Sequence, residues 1–330
     1  MSEVFFFMPV NIGIIGCGRW GKTHLNTLIE LKEKGHVGKI YCSDLNEEIS
    51  TTISEKSDGF FLDWREMVEQ KSIDIVAVVT PPSSHAEISI ELLSKGIDVL
   101  VEKPIATNLS EATSILNASQ TFGRILSVGH LLRFHVSINT ALNKISSGLI
   151  GVLDRIEFTR VTPREPNSDS DVFQALAVHG IDTTCFCFGE LEPQRTHLSR
   201  VKHSPHGKPI YAEILLEFSG QKEAEIKVAW GGEEEQRSIR FFGEKGTLLV
   251  DLGNHNEILH DSQGEFKSIN TFSSQLPLEL EWLHTISMRE SLEGNSISPS
   301  QGAILRSIRM VEHFSGLSKL EFDKINRKPN

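Results

Sequence analysis

The stretch Gly16-Cys17-Gly18-Arg19-Trp20-Gly21 follows an apolar run, Val10–Ile15, and opens a helical pattern. Glycines at these spacings do three different jobs in a dinucleotide site. The first turns the chain tightly, the second lets backbone approach a pyrophosphate, and the third lets the helix pack on the strand. The helix N-terminus then meets the phosphates with its unsatisfied N–H groups. Asp44 follows the next β-rich run, Lys39–Ser43, where a carboxylate would accept the hydroxyls of a ribose. Its charge would repel a 2′-phosphate, and no arginine follows in Leu45-Asn46-Glu47-Glu48. NAD is therefore favoured over NADP.

Two more segments fall at strand ends, where sheets of this architecture bind ligands. Thr80-Pro81-Pro82-Ser83-Ser84-His85 closes the run Ile73–Thr80 and starts a helix, and Glu102-Lys103-Pro104 closes Asp98–Val101. The expected cofactor contacts are thus Gly16, Gly18, Arg19, Trp20, Gly21, Asp44, Thr80, Pro81, His85, Glu102 and Lys103. A lysine read alone is most often a solvated surface group. At this strand end Lys103 would lie beside the nicotinamide, with Pro104 fixing the backbone that aims it.

The elements that must position these residues alternate. Strand candidates Val10–Ile15, Lys39–Ser43, Ile73–Thr80, Asp98–Val101 and Arg124–Val128 are apolar on both faces, as parallel strands buried under helices are. Helical patterns run over Lys22–Lys34, Glu47–Lys56, Asp63–Glu69, Ser84–Ser94 and Ser110–Thr121, the last with Ser110 as its expected N-cap. This predicts an α/β, doubly wound parallel sheet of the Rossmann kind. After about residue 150 the rhythm changes to strands in close succession: Val152–Val161, Tyr211–Phe218, Ala224–Trp230, Arg237–Phe242, Thr247–Asp251 and Ile258–His260. Gly243-Glu244-Lys245-Gly246 has hairpin chemistry. Helices are expected at Val172–Phe188, Leu278–Glu290 and Ala303–Leu317, with a frayed tail at Asp323–Asn330. The expectation is a Rossmann domain over 1–130 and an α+β domain over 131–330 with a large, open, mostly antiparallel sheet. Helix 303–317 is a candidate to return to the first domain. Trp230 and the Ile226–Val228 run are expected on an apolar sheet face that another subunit covers.

Length and composition bound the function. The 330 residues suffice for about two domains, with 39% apolar and 23% charged residues as in ordinary globular chains. A net charge of −11 without a basic run argues against nucleic acid and anionic membranes as partners. The apolar run Val4–Gly16 falls short of the about 20 residues that span a bilayer and lacks a basic leader, so the expected location is cytoplasmic. Four cysteines, at 17, 42, 185 and 187, are too few and too badly spaced for a disulfide framework or a zinc cage. His203-Ser204-Pro205-His206 reads as a loop rather than a metal site, and Phe5-Phe6-Phe7 as a strand cap or oligomer contact.

In combination, the GxGxxGxxH stretch through His24, the Thr80–His85 turn and Glu102-Lys103-Pro104 resemble the glucose–fructose oxidoreductase/inositol dehydrogenase (Gfo/Idh/MocA) family. The resemblance continues through Gly129-His130-Leu131-Leu132-Arg133-Phe134-His135 and through His179-Gly180-Ile181-Asp182, similar to the family's H-x-x-D helix. Ala229-Trp230, then Phe242-Gly243-Glu244-Lys245-Gly246-Thr247, then Pro277-Leu278-Glu279 extend it over nearly the whole chain. It implies hydride exchange between NAD(P) and a carbinol of a sugar, cyclitol or sugar nucleotide; the expected apolar sheet face adds a homodimer or homotetramer joined through the C-terminal sheet. It further implies that Lys103 contacts nicotinamide and substrate, and that His179 is the acid/base. Many members carry an Asp one helical turn before this His, where this chain has Ala175. The branch lacking that Asp includes UDP-N-acetyl-2-amino-2-deoxyglucuronate dehydrogenases. It shares Trp20-Gly21-Lys22, the Gly129–His135 segment and an arginine matched by Arg160. Its other arginines align poorly, the nearest being Arg164.

The chemistry needs a base for the hydroxyl proton and a positive group for the developing alkoxide. An imidazole, of pKa about 6.5 when unperturbed, suits the first role. The assignment is His179 as acid/base and Lys103 as the fixed cation. Asp182, one helical turn from His179, would orient the imidazole or bind substrate. Arg133, Arg160 and Arg164 are candidates for a substrate phosphate or carboxylate, each weighed against an ordinary surface salt bridge. Two other readings remain open. One is a glycosidase of the same fold using tightly held NAD, which would show no net NADH. The other is a catalytically silent nucleotide-binding regulator, for which Ala175 is the best support.

Overall fold

The computed structural model describes residues 9–166, 170–253, 257–261, 264–271, 277–289 and 298–326. Phe5–Phe7, the expected helix end at Glu290 and the last four residues lie outside them. The chain forms two compact units, Met1–Leu131 with Leu276–Ile304 and Leu132–Gln275 with Leu305–Asn330.

The first unit runs β1 (Val10–Ile15), α1 (Arg19–Glu33), β2 (Val37–Ser43), α2 (Ser50–Ser54), β3 (Gly59–Phe61), α3 (Trp64–Gln70), β4 (Ile75–Val78), α4 (His85–Ser94), β5 (Asp98–Val101), α5 (Leu109–Phe122) and β6 (Leu126–Val128). The strands form one parallel sheet in the order β3-β2-β1-β4-β5-β6, the doubly wound arrangement expected. Its ligand crevice is at the β1/β4 switch point, where the order reverses. All four residues of β4 and of β5 are buried, which is why these strands read as unbroken apolar runs. The edge strand β3 escaped the sequence reading because it is three half-buried residues behind polar Ser57-Asp58. The cap of α5 is Asn108, not Ser110. Asn108 Oδ1 accepts from Glu111 N, while Glu111 Oε2 reaches back to the amide and hydroxyl of Thr107.

The second unit begins with α6 (Val136–Ser146) and β7 (Leu153–Thr162), followed by a π-helical turn (Phe173–Ala177) that runs into α7 (Val178–Cys187). Strands β8 (Arg195–His203), β9 (Pro209–Phe218), β10 (Lys222–Trp230), β11 (Gln236–Gly243), β12 (Gly246–Asp251), β13 (Glu257–Asp261) and β14 (Phe266–Thr271) complete a sheet ordered β14-β13-β12-β11-β7-β10-β9-β8. It is antiparallel except where β7 and β10 run parallel. Strand β8, absent from the expectation, alternates half-buried and exposed positions with no apolar run, as an edge strand does. Helix α8 (Pro277–Ser287) belongs to the first unit, where Leu278, Trp282 and Ile286 share a core with Leu25, Leu28 and Leu31. In α9 (Gln301–Asn326), Met310, Val311 and Phe314 instead fill the core of the second unit, and the helix continues beyond the expected end at Leu317.

The expectation for the sheet face also fails. Ile226 and Val228 do not await another subunit; they are buried in the unit's own core with Phe173, Val178 and Ile181. The exposed face of the sheet is charged, with Arg155 paired to Glu157 and Glu225 and stacked 3.8 Å from the Phe242 ring. Among the described residues no helix is long and apolar enough to cross a membrane.

Candidate active site

In the first unit the three glycines of the loop have three different surroundings. Gly16 has φ +94°, and a Cβ there would lie 2.7 Å from the Val79 carbonyl oxygen. At Gly21 it would lie 2.0 Å from the Gly16 oxygen, so α1 rests directly on the turn. At Gly18 nothing stands within 4 Å, and α1 begins there with no side-chain cap and no acid in its first turn. Open space in front of uncapped helical N–H groups fits a pyrophosphate. Cys17 N donates to Asp44 Oδ2 at 2.7 Å, and Asn46 N to Asp44 Oδ1 at 2.8 Å. The Asp44 carboxylate is thus fastened to the phosphate loop itself, where it fits a ribose diol.

The strand-end residues divide into those that face a ligand site and those that build it. Arg19 and Pro81 are exposed, and Thr80, Trp20 and Lys103 are half-buried. His85, expected as a cofactor contact, is buried and acts as a strut. Its Nε2 lies 2.8 Å from the Thr80 oxygen and its Nδ1 3.0 Å from the Pro104 oxygen. Burial depresses its pKa despite both carbonyls, so the ring is neutral and donates to one of the two. Glu102 is likewise turned inward. It accepts from His24 Nε2 at 2.9 Å, from Trp20 Nε1, and from the Lys103 amide at 3.1 Å. Burial would raise this carboxyl, but the bonds from His24 and Trp20 and the Lys103 charge outweigh it and hold it below the usual range.

In the second unit His179 is half-buried, directly after the π-helical turn, a feature frequent at functional sites. Asp171 starts this segment by accepting from the amides of Phe173 and Gln174. Gly180 lets the helix press onto the sheet, since a Cβ there would lie 2.7 Å from both Phe158 and Ile226. Ala175 packs against the core. Two expected substrate ligands are committed elsewhere. The Arg133 and Asp182 side chains are buried and bonded to each other, Nε to Oδ2 at 2.8 Å and Nη2 to Oδ1 at 2.7 Å. Arg133 also meets Glu190, which Arg306 Nη2 approaches to 2.6 Å. Although burial alone would depress the guanidinium, these carboxylates raise its pKa, so it is a permanent cation. Arg160 is half-buried near the end of β7, and Arg164 is exposed just beyond it, its carbonyl accepting from Gly231 N. Trp282, Glu190 and Arg306 carried no sequence signal, because each acts through a partner far away in the chain.

Residues 10–130 match the family model described as "Oxidoreductase family, NAD-binding Rossmann fold", and residues 138–249 match "GFO/IDH/MocA C-terminal domain". The chain belongs to the Gfo/Idh/MocA oxidoreductase family. It is 26% identical over 186 residues to inositol 2-dehydrogenase 2 of Saccharopolyspora erythraea, a match covering 56% of this chain and 55% of that one. It is 26% identical over 260 residues to UDP-N-acetylglucosamine 3-dehydrogenase of Acidithiobacillus ferrooxidans, 78% of this chain and 79% of that enzyme. The solved structure of the latter superposes with a TM-score of 0.81 at 19% identity, covering 95% of this chain and 99% of that one. A 3-ketoreductase of Actinomadura kijaniata, in complex with NADP and TDP-benzene, superposes with a TM-score of 0.81 at 16% identity, over 92% and 96% of the two chains. These Gfo/Idh/MocA relatives thus include enzymes named for sugar-nucleotide and cyclitol substrates.

Proposed function

We propose that the protein is an NAD-dependent oxidoreductase that exchanges hydride between nicotinamide and a secondary hydroxyl or ketone of a sugar, specifically of a sugar nucleotide such as a UDP-amino-sugar uronate. The observation that carries the cofactor choice is the bond from Cys17 N to Asp44 Oδ2. A fixed carboxylate at the ribose position binds the 2′-hydroxyl and repels a 2′-phosphate. Gly18 and the start of α1 would hold the pyrophosphate, and Thr80 and Pro81 would border the crevice. What bound NAD supplies is a two-electron acceptor for the hydrogen on the carbinol carbon.

The remaining work falls to the chain. His179 takes the hydroxyl proton in oxidation and returns it in reduction, and Lys103 supplies fixed positive charge for the developing alkoxide. Arg133 is committed to Asp182, and Arg160 and Arg164 are the arginines assigned to a substrate phosphate or carboxylate. The sugar-nucleotide choice rests on those arginines and on the name of the Acidithiobacillus relative. The protein works as a homodimer or homotetramer joined through its eight-stranded sheet; a monomer by light scattering would contradict that part.

The test is reduced-nicotinamide formation across a panel of UDP-sugars, free sugars and cyclitols, with NAD and NADP compared. Turnover of UDP-sugars with NAD supports the reading, and turnover of free cyclitols alone overturns the substrate class. Lys103→Ala and His179→Ala should each lower turnover by about 10²–10⁴-fold with dinucleotide affinity nearly unchanged. Unaltered turnover in either removes that residue from its role.

A further inference from the structure

Lys103 as the active-site cation rests on the reading just given, and what holds it lies beneath the loop. Glu102 Oε2 accepts from the Lys103 amide at 3.1 Å, and Oε1 accepts from Trp20 Nε1 and lies 2.9 Å from His24 Nε2. His24, fully buried on α1, stands between two indoles, each perpendicular to its ring at centroid distances of 6.0 and 5.8 Å. Its other nitrogen, Nδ1, lies 3.0 Å from Trp282 Nε1 on α8. An indole nitrogen can only donate. Nδ1 must therefore be the bare acceptor, which puts the ring's proton on Nε2, aimed at Glu102. A proton on Nδ1 would break the Trp282 bond, so the geometry keeps the ring's donor on Nε2, where Glu102 accepts from it.

We propose that His24 and Trp282 are positioning residues for Lys103: an indole–imidazole–carboxylate relay fixes the orientation of Glu102, and Glu102 fixes the lysine loop. Glu281 precedes Trp282 on the same helix, is fully buried, and has no hydrogen-bond partner for either oxygen among the described residues. Burial and the nearby Glu102 keep it protonated, so Glu102 is the charged member of this carboxyl pair.

The relay separates from plain packing by the order of three variants. Glutamine at position 24 offers an N–H donor and a carbonyl acceptor in place of the imidazole's donor and acceptor, whereas leucine fills the space with neither. His24→Leu and Trp282→Phe should lower kcat by about tenfold with the KM for NAD within about twofold. His24→Gln should restore most of the turnover lost in His24→Leu. Packing alone predicts the reverse order, because leucine leaves no buried polar group of its own to satisfy; that order overturns the proposal. The ¹⁵N spectrum of the intact wild-type protein is an independent readout that needs no variant to fold. An Nε2–H tautomer of His24 supports the relay, and an Nδ1–H tautomer or imidazolium overturns it. Lys103→Ala distinguishes the two levels. If it keeps turnover, the role of Lys103 fails; if it loses turnover while His24→Leu and Trp282→Phe keep theirs, the relay alone fails.

Discussion

The backbone amide of Cys17, between the first two glycines of the nucleotide loop, donates to the side chain of Asp44 at 2.7 Å. The residue proposed to select the ribose is thereby tied to the loop proposed to take the phosphates. Asp44→Ser should weaken NAD binding by about 10–100-fold, the worth of a hydrogen bond to a charged group. NADP should lose far less, or gain, because the repulsion is gone. Fluorescence titration of NADH and NADPH measures both, and an unchanged ratio of affinities would remove Asp44 from the ribose site.

Gly18 separates binding from folding. Its φ of −63° suits any residue and nothing lies within 4 Å of a Cβ there, so Gly18→Val should leave unliganded stability within about 0.5 kcal/mol. Dinucleotide affinity should fall sharply, since the branched side chain occupies the space assigned to the pyrophosphate. Urea unfolding and cofactor titration of the same variant provide the check. Tight binding by this variant would place the phosphates elsewhere.

The Arg133–Asp182 pair should behave as structure rather than as a substrate ligand. Arg133→Met leaves a buried carboxylate without its partner and should cost about 3–5 kcal/mol. Adding Asp182→Leu should recover much of that loss, because the stranded charge is removed with it. Chemical denaturation of the single and double variants tests this. A stable Arg133→Met enzyme with a raised substrate KM would return the arginine to the substrate site.

Glu281 sets a pH dependence of stability. Its carboxyl is pushed well above the ordinary value of 4.5 by burial first and by Glu102 second. The folded state therefore holds this proton more tightly than the unfolded chain. Its contribution is fully present below the unfolded pKa and is lost as pH rises toward the folded value, at about 1.4 kcal/mol per pH unit. Glu281→Gln should be indistinguishable from wild type at acid pH and progressively more stable than it as pH rises through neutrality. Parallel melting curves for the two proteins across that range would refute this assignment.

Much of the nucleotide-binding unit was legible because its constraints are local. The turn at Gly16 tolerates no side chain, buried parallel strands demand unbroken apolar runs, and Asp44 follows its strand at a fixed place. Edge strands were harder. β3 and β8 bury little and so leave little pattern, and the Asn108 cap was hidden behind a plausible serine two residues on.

Sequence alone therefore determined the class of fold and the dinucleotide loop, since each is written in contiguous residues. Tertiary structure decided which candidate side chains are committed to partners. Arg133 reads as an anion ligand until Asp182 and Glu190 are seen to hold it, and His85 and Glu102 read as cofactor contacts until their inward bonds are seen. His24 looked like the end of a motif, and Trp282 carried no signal. Their 3.0 Å bond spans 258 positions of chain. A pairing of that range is specified by how α8 packs on α1, and no local pattern of residues encodes it.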